Sequence, residues 1–401
     1  LPLLSGLAWL ITRPQAAVPP PVQPPPITDQ ALSPDPSDPP PAAQESPRED
    51  PSLPDNHTAS APVLEAASAK PIPSGDDFAL SEGRLLLEAR KYQTVLEKLL
   101  PRINQSPQAM LLVAEAYLGL KRYAESRELF ERYLEKDPDN LAVIRRLVST
   151  CYALNLLEDA LHWCEHGLTL AAHDPELTAI FHELNREQAT SSKFISRESE
   201  HFVVTFDRGE HADTRQQVLS ILENAYRHVG GELGVYPERK IPVILYTQQA
   251  FFDVTRAPGW AGGLYDGKIR LPVGSMGDDS GELTRILTHE YVHAAIHQIT
   301  DQCPRWINEG LAELFSQPEV PDIGQVIPLS RLERSFPSAP NAAVATAYAQ
   351  SHAAVAYLID RYSLSDLLNL LREMGEGTDF RTAFQNVYVI DLDQFIRAWG
   401  G

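Results

Sequence analysis

From about Phe78 to Leu184 apolar residues return every three or four positions, the spacing that gathers them on one face of a helix. The runs are short. Lys91-Tyr92, Arg122-Tyr123 and Leu157-Glu158 each follow one helical run and open the next, and Pro107, Pro138 and Pro175 are expected to close successive units. Small and aromatic residues fall alike in Ala114-Glu115-Ala116-Tyr117-Leu118-Gly119 and Val148-Ser149-Thr150-Cys151-Tyr152-Ala153, which predicts a repeated helical unit. Between Phe194 and Pro272 the period becomes that of strands separated by one helix. His201–Phe206 and Ile241–Tyr246 read as strands and Asp213–Leu233 as the helix. Gly262–Leu271, with its glycines and alternating Tyr265, Lys268 and Arg270, predicts a hairpin or edge strand. Helical spacing resumes near Ile286, and Leu370, Leu371, Phe384, Phe395 and Trp399 predict terminal helices that close the domain.

The first 76 residues follow neither period. Leu1–Thr12 are almost wholly apolar but too few to span a bilayer, and are expected to be the remainder of a signal peptide or membrane anchor. Residues 13–76 run through Pro19-Pro20-Pro21, Pro24-Pro25-Pro26 and Pro39-Pro40-Pro41. Such a tract buries no core and is expected to be a disordered, extended linker. An apolar start followed by a long tether predicts a body in the bacterial cell envelope, periplasmic, secreted or anchored to the inner membrane. The expected divisions are therefore 1–12, 13–76, helical repeats over 77–186 and a mixed domain over 195–401. A formal net charge of -20 speaks against nucleic acid and anionic membrane surfaces as partners. Cys151, Cys164 and Cys303 have no zinc-finger spacing and fit packed free thiols.

The candidate chemistry lies in Leu287-Thr288-His289-Glu290-Tyr291-Val292-His293. Residues four apart on a helix lie one above the other, so His289 and His293 can converge on one metal ion. Glu290, offset by about 100° around the helix, can reach a water at that ion without being a ligand, where a general base belongs. A catalytic zinc usually takes three protein ligands. Glu309 is the candidate third, in Trp306-Ile307-Asn308-Glu309-Gly310-Leu311-Ala312-Glu313, reached by a turn at Cys303-Pro304. Glu313, four residues on, can hydrogen-bond the outer nitrogen of a histidine ligand. A third histidine is excluded, because Ile296 and Ile299 occupy the Gly and His positions of that alternative motif. His297 is then expected at the surface or behind the ligands.

Asn308-Glu309-Gly310-Leu311-Ala312 resembles the NExxA/NExxS segment of gluzincin metallopeptidases, and the chain from about 196 to 400 resembles the peptidase MA-like family. Glu200-His201-Phe202-Val203-Val204 matches as opening strand, Ile241-Pro242-Val243-Ile244-Leu245-Tyr246 as a second strand, and Gly263-Leu264-Tyr265-Asp266-Gly267-Lys268-Ile269 as the segment before the histidine helix. Ala347-Tyr348-Ala349-Gln350-Ser351 follows. The spacer to the third ligand is a few residues shorter than in the better-known gluzincins. The resemblance implies an α+β zinc metallopeptidase domain requiring Zn2+. In gluzincins an edge strand binds substrate by main-chain pairing, and that role would fall here on the backbone around Gly263, Leu264 and Tyr265. It also implies Tyr348 as donor to the oxyanion, with His352 the runner-up. The region before it resembles a short tetratricopeptide array of about three degenerate repeats. Each repeat contacts mainly its neighbours, so the array is expected to offer a surface to a protein partner and to be separable from the catalytic domain; the alternative, since three repeats are close to the minimum for a stable array, is a helical spacer that packs against that domain.

The expectation is thus a multidomain chain, all-α repeats followed by a gluzincin-type α+β domain. It would act as a zinc metallopeptidase, an endopeptidase on protein or peptide substrates recruited by the repeats. An aminopeptidase would need an acidic group to hold a free amine, for which only Asp266 is at hand. A third alternative keeps the zinc fold for structure within an interaction scaffold, which the intact Glu290 argues against.

Overall fold

Ser106, Asn140 and Asp174 each precede the first helix of a repeat and cap it. Their side-chain oxygens accept from the amides of Ala109, Val143 and Leu177 at 3.2, 3.3 and 2.9 Å, satisfying donors that a helix start leaves open. The helices so begun are α3 (Pro107–Gly119), α5 (Leu141–Ala153) and α7 (Pro175–Ser191). Before them stand α1 (Phe78–Glu88) and α2 (Tyr92–Leu99), the latter running into a 3₁₀ turn at Leu100–Arg102. α4 (Tyr123–Leu134) and α6 (Leu157–Leu170) complete the second and third pairs. At the turn inside each pair the backbone takes a left-handed residue, Arg90, Lys121 and Asn155, with φ of 54°, 57° and 58°. Pro107 and Pro175 open helices rather than closing units, because a first-turn amide needs no intrahelical partner. Val95, Leu99, Val113, Phe130, Ile144, Leu147 and Leu184 are fully or almost fully buried along one continuous core.

The computed structural model describes residues 78–191, 194–207, 212–257, 261–272, 280–317, 319–320, 323, 327–333, 336 and 342–400. The expected anchor at 1–12 and linker at 13–76 lie outside the described residues. Those described belong to a single compact unit.

The second region is built on a five-stranded mixed sheet of order β1-β2-β3-β5-β4. β1 (Phe194–Glu198) pairs antiparallel with β2 (Phe202–Asp207), and β2 runs parallel to β3 (Ile241–Tyr246). β5 (Ile269–Pro272) is parallel to β3, and the short β4 (Leu264–Tyr265) pairs antiparallel with β5 as the terminal strand. Two features depart from the sequence reading. A strand precedes the expected opening strand, and a second helix, α9 (Gln248–Thr255), joins α8 (Ala212–Leu233) between the strands.

Alternation along the strands sorts residues between two cores. Phe202, Val204, Val243, Ile269 and Leu271 face α8 and α10 (Ser280–Ile299) in the larger one. Ile244, Tyr246 and Leu264 face the other way, with Phe251 and Val254 of α9. α7 packs beside α9, so the last repeat helix helps cover this second face. The repeats thus contact this face of the sheet, a contact that bears on whether they can be separated from the second region. α11 (Arg305–Ser316), α12 (Leu329–Leu332), α13 (Ala342–Arg361), α14 (Leu364–Gly375), α15 (Phe380–Tyr388) and α16 (Leu392–Gly400) complete the larger core. Cys151, Cys164 and Cys303 are free thiols. No described helix is long and apolar enough to cross a membrane.

Candidate metal centre

His289 and His293 sit one turn apart on α10, a helix whose residues from Ile286 to Ile296 are buried except for the half-buried His293. Pro304 caps the start of α11, which returns across α10 and brings Glu309 beneath both rings. Glu309 Oε2 lies 3.4 Å from Nε2 of His289 and 3.4 Å from Nε2 of His293. Glu309 can come so close to the next layer because residue 310 is glycine. A Cβ there would stand 2.3 Å from the backbone oxygen of Ser351, so any side chain would push α13 away.

The outer nitrogens face polar side chains as well. Glu313 Oε1 faces Nδ1 of His289 at 3.2 Å, and Asn308 Oδ1 accepts from Nδ1 of His293 at 3.1 Å. The Asn308 bond turns Nε2 of His293 inward as the lone-pair nitrogen, while Nδ1 of His289 faces Glu313 without a hydrogen bond among the described residues. Glu313 stands where helical spacing placed it. Asn308 was missed, although its position beside Glu309 in the second motif was a usable signal.

These residues fit a metal. Tetrahedral coordination with bonds of about 2.0–2.2 Å spaces ligand atoms about 3.3–3.5 Å apart. The two 3.4 Å separations match that spacing and exceed the 2.7–3.2 Å of a good hydrogen bond. The buried Oε2 of Glu309 has no hydrogen-bond partner among the described residues. The His289, His293 and Glu309 ligand atoms all lie within 4.8 Å of one another.

Electrostatics point the same way. Burial works to lower the proton affinity of His289, yet Glu309 and Glu313, with Glu290 nearby, lift its pKa to about 10. His293 is raised against the same burial by Glu309. Burial would raise Glu309, but the two imidazoles hold it well below the usual carboxylate range. The pocket is built to hold positive charge. Glu290 is pushed up by burial, with His289 and His293 pulling the other way.

Around this centre the other expected residues take distinct places. Gly263 lies directly against Glu290, where a Cβ would be 2.7 Å from Oε1. The Leu264 side chain is buried in the second core, so it offers a ligand only its backbone. Tyr265 packs its ring against His297 at 5.7 Å, and His297 pairs with Asp301 at 2.7 Å, away from the ligands. The ring centre of Tyr348 is 6.1 Å from that of His289, and burial together with Glu309, Glu290 and Glu313 raises its hydroxyl well above the ordinary value. His352 is fully buried, and neither ring nitrogen has a hydrogen-bond partner among the described residues. Asp266 is bound to Arg270 at 2.8 Å.

Two histidines and a carboxylate on packed helices, with a further carboxylate beside them and a sheet edge alongside, form a group that could hold one metal ion. Residues 223–401 match the model of the Peptidase MA superfamily, and residues 117–180 match a tetratricopeptide-repeat model. The matches run in the order of a tetratricopeptide region followed by a peptidase MA domain, as the resemblance implied. No curated protein matches it.

Proposed function

We propose that the protein is a zinc-dependent endopeptidase whose metal is held by His289, His293 and Glu309. The observation that carries this is the convergence of both Nε2 atoms on the partnerless Oε2 of Glu309, in a domain matching a peptidase superfamily. A bound zinc supplies Lewis acidity that polarises a peptide carbonyl and lowers the pKa of water.

The chain's own groups do the rest. Glu290 accepts the proton of the attacking water on a carboxylate oxygen and returns it to the nitrogen of the leaving amine. Burial raises its proton affinity, which suits both transfers. Tyr348, beside His289, donates its O–H to the developing oxyanion. Asn308 keeps the His293 imidazole in one tautomer, and Glu313 sets a negative charge against the outer nitrogen of His289. The β4 edge, against Glu290, pairs with an extended peptide through its backbone.

An aminopeptidase is disfavoured because Asp266, the acid at hand for a free amine, is neutralised by Arg270. A structural zinc site is disfavoured by Glu290, a buried carboxylate that such a site would not use. A cell-envelope location is proposed from the composition of residues 1–76 alone.

The deciding experiment is Glu290→Gln, which keeps the shape but cannot take up the water's proton. The variant is expected to bind zinc as the wild type does and to lose about 10²- to 10⁴-fold in hydrolysis of an unfolded protein substrate, the range of general acid–base catalysis. Near wild-type turnover would overturn the assignment.

A further inference from the structure

The strand that leads to the candidate substrate edge is held from behind by the repeats. Lys268 and Arg270 alternate with Ile269 along the β4–β5 hairpin and so face the second core, where each is only 1 % exposed. Both reach Glu187 of α7. Lys268 Nζ donates to its Oε1 at 2.8 Å, and Arg270 Nη2 to its Oε2 at 2.8 Å. Tyr152 of α5 adds a second grip. Its hydroxyl accepts from Arg270 Nη2 at 2.8 Å and donates to Glu183 at 2.7 Å, while Lys268 Nζ lies 4.1 Å from its ring centre. Within the hairpin, Arg270 donates to Asp266 at 2.8 Å and to the Tyr246 hydroxyl at 2.6 Å. Two buried cations are thus paired directly with two carboxylates, Asp266 of the hairpin and Glu187 of the repeats, while Glu183 of the repeats reaches Arg270 through the Tyr152 hydroxyl.

A second contact lies nearby. Lys121, at the left-handed turn of the second repeat, donates to the backbone oxygen of His297 and to Asp301, the carboxylate that also holds His297 under the Tyr265 ring.

β4 has two residues, too few to fix its own path, and its registry comes from what grips the hairpin on either side. On one side stands Glu290, through Gly263; on the other stands Glu187. Removing the Glu187 charge leaves two buried cations with one directly paired carboxylate, Asp266, which pairs with Arg270 alone. They regain solvation only if the hairpin lifts away from α5 and α7.

We infer that Glu187 and Tyr152 are positioning residues for peptide binding: the repeats set where the Gly263–Tyr265 edge lies against Glu290, and so act on substrate alignment through the hairpin. This rests on the reading that the β4 edge pairs with substrate. The last repeat helices accordingly grip the protein's own hairpin.

The test uses the full chain with Glu187→Gln and Tyr152→Phe. Hydrogen exchange is followed by mass spectrometry, zinc affinity with the metal alone, and hydrolysis with an unstructured peptide. Glu187→Gln is expected to speed exchange over 263–271 by about tenfold or more while 286–296 of α10 stay protected, since local opening is confined to the released unit. Zinc affinity should stay within about twofold and the loss in hydrolysis should appear chiefly as a raised KM, the mark of weakened substrate binding. Tyr152→Phe should act in the same direction, less strongly, and carries the test alone if Glu187→Gln does not fold. Unchanged exchange over 263–271, or acceleration spread equally over repeats, hairpin and α10, would overturn the proposal. A wild type that binds zinc but cleaves no peptide would sink the peptidase reading while the exchange result still decides whether the repeats hold the hairpin.

Discussion

Gly263 and Glu290 are fitted to each other at van der Waals distance: a Cβ on residue 263 would stand 2.7 Å from Oε1 and 2.9 Å from Cγ of the glutamate. The sheet edge and the proposed acid–base group therefore share one boundary, and a side chain at 263 must displace the carboxylate. Gly263→Ala is expected to lower kcat by about 10- to 100-fold, because a shift of about 1 Å at a reacting group costs on that order. Metal content should not change. Steady-state kinetics beside metal analysis checks this, and an unaltered kcat would show that the carboxylate relocates freely.

The purified protein is expected to hold about one zinc, since three ligands on two packed helices form one open site. His289→Ala and Glu309→Ala should lose it, whereas Glu313→Gln should weaken it by about 10- to 100-fold, the usual effect of removing a group behind a ligand. Equilibrium dialysis with metal analysis measures all three. Full zinc in Glu309→Ala at micromolar free metal would mean the third ligand is elsewhere.

Tyr348→Phe keeps the ring against Phe336, at 5.2 Å between centres, and removes only the hydroxyl. Turnover should drop by about 10²- to 10³-fold, as for loss of one oxyanion donor, with KM and zinc affinity little changed. A kcat within about twofold of wild type would return the role to His352.

Acid stability should depend on Glu187. Burial would raise its pKa, but Arg270 and Lys268 overcome that and depress it to about 2 from an ordinary value of 4.5. A depressed carboxylate stabilises the fold fully above its unfolded pKa and loses that contribution as pH falls toward the folded value. The window is therefore from about pH 5 down to about pH 2, and the contribution is on the order of 3 kcal/mol. Urea midpoints from pH 7 to 3 should fall more steeply for wild type than for Glu187→Gln, converging at the acid end. Parallel curves would show that this carboxylate is not the sensitive group.

A fragment of residues 194–401 should be markedly less stable than the whole, because Lys268 and Arg270 lose the carboxylate and phenol they face and the second sheet face is bared. Breaking a buried ion pair from one side costs about 3–5 kcal/mol. Differential scanning calorimetry compares the two; an equal Tm would restore the picture of separable modules.

What the sequence disclosed follows from what helical periodicity encodes. Four-residue spacing relates His289 to His293 and Glu309 to Glu313 within single helices, and one turn at Pro304 brings the two pairs together. Asn308 lay in plain view but carries no spacing rule of its own, and only the crossing of α11 over α10 reveals its bond to His293. β1 has five residues and α9 eight, lengths at which periodicity barely registers. For Lys268 and Arg270 alternation gives the face they share but not what covers it. That depends on α5 and α7, far upstream, and on tertiary packing that no local pattern records.

Repeat arrays are commonly interchangeable parts, gained or dropped a unit at a time without consequence for what lies beyond them. The ion cluster removes that freedom at one end. Drift at Glu187 is tolerated only alongside change at Lys268 and Arg270, so α5 to α7 and the hairpin must be inherited as one block.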